Sequence, residues 1–154
     1  MEEVLSEETI RIVKSTAPAM KQHGYRICTR MFETLFEAHP SLASMFRKED
    51  HTVQPGESYE RQPLLVAQAV HAYAFHIDNL TALEPAIQRI THKHVFADVR
   101  PEHYQIVGEH LMQSVRLVLG EAATPEVCQA WQEAYDFLAR LFIQTEARIR
   151  HSLG

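Results

Sequence analysis

Apolar residues recur every three or four positions along most of the chain, which is the period of one face of an α-helix. The clearest of these runs passes through Leu83, Ile87 and Ile90. The next position of the run is His94, so an imidazole stands where the pattern calls for a core side chain. A histidine on an apolar helix face is more often a hydrogen-bonded core residue than a metal ligand. The spacing alone therefore leaves both interpretations of His94 open.

Capping residues and breaks divide the first third of the chain into predicted helices. Ser6 has a hydroxyl that can cap a first helix, and Gly24 predicts its end. A second helix is then predicted over residues 25–37, since its apolar positions keep the helical period. Pro40 predicts the start of a short helical turn that ends near Phe46.

The pattern disappears over residues 47–60, which are polar and contain a Pro-Gly pair. Neither helical nor strand periodicity is present, so this stretch predicts a loop. A loop of this length in a helical domain is typical either of a functional lid or of a mobile connection. The helical period resumes near Arg61, and Pro63 is compatible with a helix there because it falls in the first turn.

Two further helices are predicted in the last third of the chain. Pro101 indicates the first turn of one helix, and Gly120 indicates its end. Thr124 followed by a proline predicts the start of the last helix, which continues to near the carboxy terminus. No strand-like alternation, internal repeat or low-complexity segment is present. The sequence therefore predicts an all-α protein with a single domain over residues 1–154.

Composition narrows the classes of partner. The chain has 154 residues, enough to bury a core, and a formal net charge of -5, which argues against nucleic acid or an anionic membrane as the main partner. No apolar run approaches the roughly 18 residues that span a bilayer, and the acidic amino terminus is unlike a signal peptide. Cys28 and Cys128 are too few for a disulfide framework. We expect a cytoplasmic protein with two reduced thiols.

Three segments together resemble one protein family. They are HPSLASMF at 39–46, ITHKHVFADVRPEHYQIVGEHL at 90–111 and AWQEAYDFLARLFIQTEARI at 130–149. In this order they are similar to the haem domain of flavohaemoglobins and to the single-domain bacterial haemoglobins. The resemblance covers nearly the whole chain, and its weakest part is the stretch around residues 50–60. It implies a globin fold in which helices pack around a haem b, iron protoporphyrin IX.

The resemblance implies that His94 is the proximal ligand of the haem iron. Tyr104 and Glu146 fall at the family positions of the proximal tyrosine and glutamate. A carboxylate that hydrogen-bonds to the proximal imidazole increases electron density at the iron, which favours activation of O2 over simple binding. The alternatives are that Glu146 is a solvated residue of a charged helix and that Tyr104 is a core aromatic.

On the ligand side of the haem, the resemblance assigns Gln62 as the distal glutamine, Val66 as the aliphatic residue one turn later and Phe46 as the ring packed against the porphyrin. The family also carries a distal tyrosine that donates a hydrogen bond to O2. This chain has Phe32 at that position, which puts the family's nitric oxide dioxygenation in doubt. Tyr59, nearly one turn before Gln62, is an alternative source of a phenol.

Two more residues match family positions near the haem edge. Lys93 and Tyr135 fall where a side chain could meet a haem propionate. The alternative interpretation is that both are ordinary surface or packing residues.

Three functions of different classes follow. The leading one is a haem b globin that binds O2 reversibly, with NO and CO as other ligands, for oxygen storage or delivery. The second is a nitric oxide dioxygenase, which needs a flavin/NAD(P)H reductase; since the chain ends after the last globin helix, we expect that reductase to be a separate protein. The third is a gas sensor or a haem-free interaction module, which leaves His94 unexplained. We expect a monomer or a homodimer.

Overall fold

The computed structural model describes residues 5–49 and 61–154, and for residues 46–49 and 61 it describes the backbone alone. These residues form six α-helices and two short 3₁₀ turns and contain no strand, which confirms the all-α prediction. The helices are α1 (Glu7–Ala38), α2 (Ser41–Glu49), α3 (Arg61–Phe75), α4 (Glu84–Phe96), α5 (Pro101–Leu119) and α6 (Pro125–Leu153). The 3₁₀ turns are Leu80–Leu83 and Gly120–Ala122.

The predicted break at Gly24 is wrong, because α1 runs through it without interruption for 32 residues. The separate helix predicted over residues 25–37 is therefore the second half of α1. Gly24 is buried where α1 passes α3, and a Cβ added to it would lie 3.2 Å from the Cβ of Ala67. The glycine serves a close approach of two helices rather than the end of one, and such a role leaves no mark on the periodicity.

The predicted helix ends at Ser6, Thr124 and Gly120 are confirmed. The hydroxyl of Ser6 accepts a hydrogen bond from the Thr9 N–H at 3.1 Å, and the hydroxyl of Thr124 accepts one from the Val127 N–H at 3.2 Å. Gly120 has a φ of 57°, a left-handed conformation that suits glycine. Helix α2 continues to Glu49, so the prediction of a loop is wrong for residues 47–49. The rest of that loop prediction lies outside the described residues.

The core lies where α1 packs against α3, α5 and α6. Its buried apolar residues include Ile27, Met31, Leu35, Met112 and Val115. Helix α4 packs mainly against α6, and α3 and α4 do not pack closely against each other within the described residues. None of the described helices is long and apolar enough to cross a bilayer. The carboxy-terminal end of α4 is thus held chiefly by α6, and the candidate site begins there.

Candidate functional site

The imidazole of His94, near the end of α4, meets side chains from two other helices. Its Nδ1 lies 2.8 Å from the hydroxyl oxygen of Tyr104 on α5 and 2.9 Å from Oε2 of Glu146 on α6. The Tyr104 hydroxyl donates to the same Oε2 at 2.6 Å. The structure therefore brings together the three residues that the resemblance assigns to the proximal side. We call them the proximal triangle.

The hydrogen bonds of the proximal triangle fix the tautomer of His94. The single hydroxyl proton of Tyr104 is directed at Oε2 of Glu146. The Nδ1 of His94 faces a carboxylate oxygen and a hydroxyl oxygen whose proton is already used, so Nδ1 must carry a hydrogen and donate it. In the neutral ring the lone pair then lies on Nε2. This is the protonation state that an imidazole needs in order to bind a metal through Nε2.

Glu146 is the most deeply buried member of the proximal triangle. Its side chain is 1% exposed, whereas that of His94 is 17% exposed. A buried carboxylate is costly unless hydrogen-bond donors replace its water, and here both donors come from the triangle. This rules out the alternative in which Glu146 is a solvated residue of a charged helix.

Phe142 completes the packing around the triangle, and the sequence analysis did not identify it. Its ring centroid lies 5.9 Å from that of His94 and 6.3 Å from that of Tyr104, both in edge-on orientations. Phe142 is buried and stands one helical turn before Glu146 on α6. That spacing of four residues was the available signal, because two side chains so spaced share one helix face.

Tyr135 supports Tyr104 from α6. Its hydroxyl donates to the backbone carbonyl of Tyr104 at 2.6 Å. The ring lies directly over Gly108, where an added Cβ would come within 2.4 Å of Tyr135 Cε1. Burial raises the pKa of the Tyr135 phenol above its ordinary value, so the hydroxyl keeps its proton and remains a donor. Tyr135 thus lies between α5 and α6, and its assignment to the haem edge stays a prediction.

Three of the residues assigned to the ligand side, Phe32, Gln62 and Val66, lie on α1 and α3, two helices that pack together. Gln62 is buried in the first turn of α3, and Val66 is half-buried and packs against the core. Tyr73, later on the same helix, donates its hydroxyl to the Ala134 carbonyl of α6 at 2.8 Å. The phenol of Tyr73 is therefore used in packing, and Gln62 and Val66 are the described α3 residues that carry the ligand-side prediction.

Phe32 is buried on α1 at 4% exposure, and its ring centroid lies 5.4 Å from that of Phe36. The side chain of Phe46 and all of Tyr59 lie outside the described residues, so the predictions made for them are not tested. Lys93 is exposed on α4, which leaves its assignment to a propionate a prediction.

The donor set of the site fits a haem. One neutral imidazole suits a metal that brings its other ligands with it, as iron does in a porphyrin. Histidines that bind a metal usually donate the hydrogen of their other ring nitrogen to such a carboxylate, and this bond orients the ring. Exposed apolar side chains also lie on the two helices that do not pack closely together, with Leu65 on α3 41% exposed and Phe96 at the end of α4 78% exposed. Such apolar surface is what a porphyrin would cover.

Comparison with known proteins agrees with this geometry. The family model described as Globin matches residues 29–141. The chain is 44% identical over 146 residues to a globin-like protein of Aquifex aeolicus, covering 95% of this chain and 97% of that protein. It is 42% identical over 145 residues to a flavohemoprotein of Halalkalibacterium halodurans, covering 94% of this chain and 34% of that protein. The chain spans about a third of the length of the flavohemoproteins that it matches.

Two solved structures show the same fold. An engineered carbene transferase from Rhodothermus marinus, described as a candidate nitric oxide dioxygenase, matches with a TM-score of 0.87 and 39% identity, covering 97% of this chain and 99% of that one. A bacterial globin from Campylobacter jejuni matches with a TM-score of 0.82 and 25% identity, covering 95% of this chain and 99% of that one. These likenesses confirm the helical arrangement predicted from the sequence.

Proposed function

Because the chain belongs to the globin family, and haem is its cofactor, we propose that it binds O2 reversibly, with NO and CO as other ligands. Haem iron supplies the coordination position at which such a diatomic gas binds. The chain would supply the histidine that holds the iron and the side chains that surround the gas. Storage or delivery of O2 is the role that we infer from reversible binding.

The proximal triangle is the observation that carries this proposal. Nδ1 of His94 donates toward Glu146 at 2.9 Å, which leaves Nε2 with the lone pair that an iron ligand needs. The carboxylate increases the basicity of the imidazole, and Tyr104 holds the carboxylate in place. His94, held in this way, would be the residue that binds the haem iron, and the iron would supply the position for a gas.

The residues assigned to the ligand side support reversible gas binding rather than oxidation of NO. The buried phenyl ring of Phe32 has no hydrogen to donate, so it cannot polarise an O2 molecule as a phenol would. Gln62, buried in the first turn of α3, is the described donor on this side. One amide donor suits a ligand that binds and leaves unchanged, whereas oxidation of NO would benefit from stronger polarisation of O2.

A second candidate function is nitric oxide dioxygenation, in which NO, O2 and one electron give nitrate. Glu146 favours it, because a carboxylate partner of the proximal histidine promotes activation of O2. Similarity to flavohemoproteins and to the R. marinus protein also favours it. The electron would come from a flavin/NAD(P)H reductase. The test is O2-dependent consumption of NO by the reduced protein, and rapid turnover to nitrate would favour this function over simple binding.

The test of the leading proposal is His94→Ala. We expect this variant to lose stable haem, or to hold a haem whose spectrum is restored by added imidazole, since the imidazole then replaces the missing ligand. His92→Ala is a matched control, because His92 lies two residues away on the exposed side of the same helix. A wild-type ferrous spectrum in His94→Ala would contradict the assignment of His94, and loss of haem in both variants would point to general damage of α4.

A further inference from the structure

The corner that follows α4 is built around the backbone of His94. The Val99 N–H donates to the His94 carbonyl at 2.9 Å, and the Asp98 N–H donates to the Val95 carbonyl at 3.1 Å. Asp98 has a φ of 63°. These bonds and the left-handed residue form a Schellman cap in which His94 supplies the first carbonyl. A movement of Val99 therefore moves the peptide of His94.

This cap is under strain at Asp98. Glycine is the usual residue at the left-handed position, and aspartate is one of the few others that adopts it, at some cost in strain because its Cβ is crowded there. The carboxylate of Asp98 pairs with Arg100 at 2.5 Å, but both side chains are at least half exposed, so water screens the pair. The corner needs support from elsewhere in the fold to stay in one conformation.

Arg150 on α6 supplies that support. Its guanidinium Nη2 donates to the carbonyl of Val99, and the bond is partly buried. Arg150 stands one helical turn after Glu146, so the two side chains lie on the same face of α6. Helix α6 thus holds His94 at two points: Glu146 holds the imidazole, and Arg150 holds the backbone through Val99.

We propose that Arg150 is a positioning residue for His94. By fixing Val99 it limits the movement of the His94 peptide and so determines where Nε2 is presented to the iron. Glu146 tunes the basicity of the imidazole, whereas Arg150 sets its position. The inference rests on the proposed function, because position matters to gas binding only if His94 binds haem iron.

The experiment compares Arg150→Met with Arg148→Met in the haem-loaded protein. Methionine keeps an apolar stem but has no donor. Arg148 is a matched control, since it lies on the same helix and, among the described residues, bonds locally to Thr145. Amide exchange of Val99 is measured in the ferrous CO form. We expect it to be about tenfold faster in Arg150→Met, equivalent to about 1.4 kcal/mol, and unchanged in Arg148→Met.

Two spectroscopic measurements separate a positioning role from a merely structural one. In Arg150→Met the ferrous iron–histidine stretching band should broaden, and CO rebinding after photolysis should become multiphasic, because His94 then samples several positions. Arg150→Lys keeps a donor and should restore a narrow band. If Arg150→Met had a wild-type band and wild-type rebinding, or if Arg150→Lys behaved like Arg150→Met, the proposal would be overturned.

The proposed function fails in a different way. If the wild-type ferrous protein had no iron–histidine band, His94 would not be the ligand, and both inferences would fall together. If the wild-type band were present and only the Arg150 variants were without effect, the positioning role alone would be wrong.

Discussion

The two sides of the site are built from opposite kinds of residue. The proximal side, formed by α4, α5 and α6, contains three polar groups that bond to one another around a carboxylate that is 1% exposed. The distal side, assigned to α1 and α3, contains the apolar Phe32 and Val66 and the amide of Gln62. Among the described residues, the proposed proximal side is therefore strongly polar and the proposed distal side is mainly apolar.

The difference in polarity between the two sides bears on two properties of a gas-binding site, the basicity of the iron ligand and the time for which the gas stays bound. In the proposed site, the proximal side would control how basic the iron ligand is, since Glu146 and Tyr104 hydrogen-bond around His94. The distal side would control how long a polarised gas stays, since a donor on that side stabilises it. A protein with a strong proximal network and few distal donors should bind O2 readily and release it quickly.

The helix crossings next to the two sides differ in how closely the helices are packed. At the α5/α6 crossing, Gly108 lies under the rigid ring of Tyr135, which also bonds to the backbone of Tyr104. At the α1/α3 crossing, a Cβ added to Gly24 would lie 3.2 Å from the Cβ and 3.8 Å from the Cα of Ala67, which is a looser contact. The proximal side is thus the less tolerant of added atoms.

Removing the charge from the proximal triangle should have the largest effect. Glu146→Gln keeps the shape of the side chain but replaces a charge-assisted bond by a neutral one, so His94 becomes less basic. We expect the iron–histidine stretching frequency to fall and haem affinity to drop about 10- to 100-fold, as for other outer-shell changes. Tyr104→Phe should lower the frequency by less.

Glu126→Gln serves as the control for this experiment, because Glu126 is exposed in the first turn of the same helix. Resonance Raman spectroscopy measures the frequency, and transfer of haem to an acceptor protein measures its retention. Unchanged frequencies in both Glu146→Gln and Tyr104→Phe would show that the proximal triangle is purely structural.

Adding a methyl group should lower the free energy of unfolding more at the α5/α6 crossing than at the α1/α3 crossing. Gly108→Ala would place a Cβ 2.4 Å from Tyr135 Cε1, so a buried ring must move. Overpacking of this kind costs about 1–3 kcal/mol of the free energy of unfolding, only partly offset by better helix propensity. Gly24→Ala should change this free energy by less than about 1 kcal/mol, because its contact is looser and alanine favours the helix. Urea unfolding measures both, and an equal loss at the two sites would remove this contrast.

Restoring a donor on the distal side should slow O2 release. Phe32→Tyr places a phenol where the family has one, and a bond to a polarised gas worth about 1.4 kcal/mol corresponds to about tenfold slower dissociation. Phe36→Tyr is the control, since its ring lies beside Phe32 but one turn further along α1. Gln62→Leu should speed up release, because it removes the distal amide.

Tyr59→Phe tests the remaining alternative on the distal side. If Phe32→Tyr had no effect and Tyr59→Phe strongly accelerated release, Tyr59 would already supply the phenol. The distal side would then be polar, and the contrast between the two sides would be lost. Stopped-flow measurement of O2 dissociation distinguishes these outcomes.

The sequence predicted the fold class because helices leave local marks, whereas the proximal residues were assigned from the resemblance to flavohaemoglobins. Helical periodicity identified the helices, and capping residues such as Ser6 and Thr124 located their starts. The continuity of α1 could not be predicted, because the role of Gly24 depends on Ala67, a residue that is distant in the sequence. Phe142 and Arg150 each stand one turn from Glu146, but they contact residues that come earlier in the chain, so the spacing alone did not show what they do.

The smallest effect is expected for Tyr135→Phe, which decides between two roles of this residue. As a support of Tyr104, the hydroxyl makes one neutral hydrogen bond to a carbonyl within helix α5, so its loss should lower the free energy of unfolding by about 0.5–1.5 kcal/mol. Haem loss should stay within about twofold of wild type, a change of about 0.4 kcal/mol. Tyr25→Phe is the control, because Tyr25 is an exposed residue of α1. Clearly faster haem loss with unchanged stability would instead place Tyr135 at a propionate, and the proximal side would then reach the haem edge as well as the iron ligand.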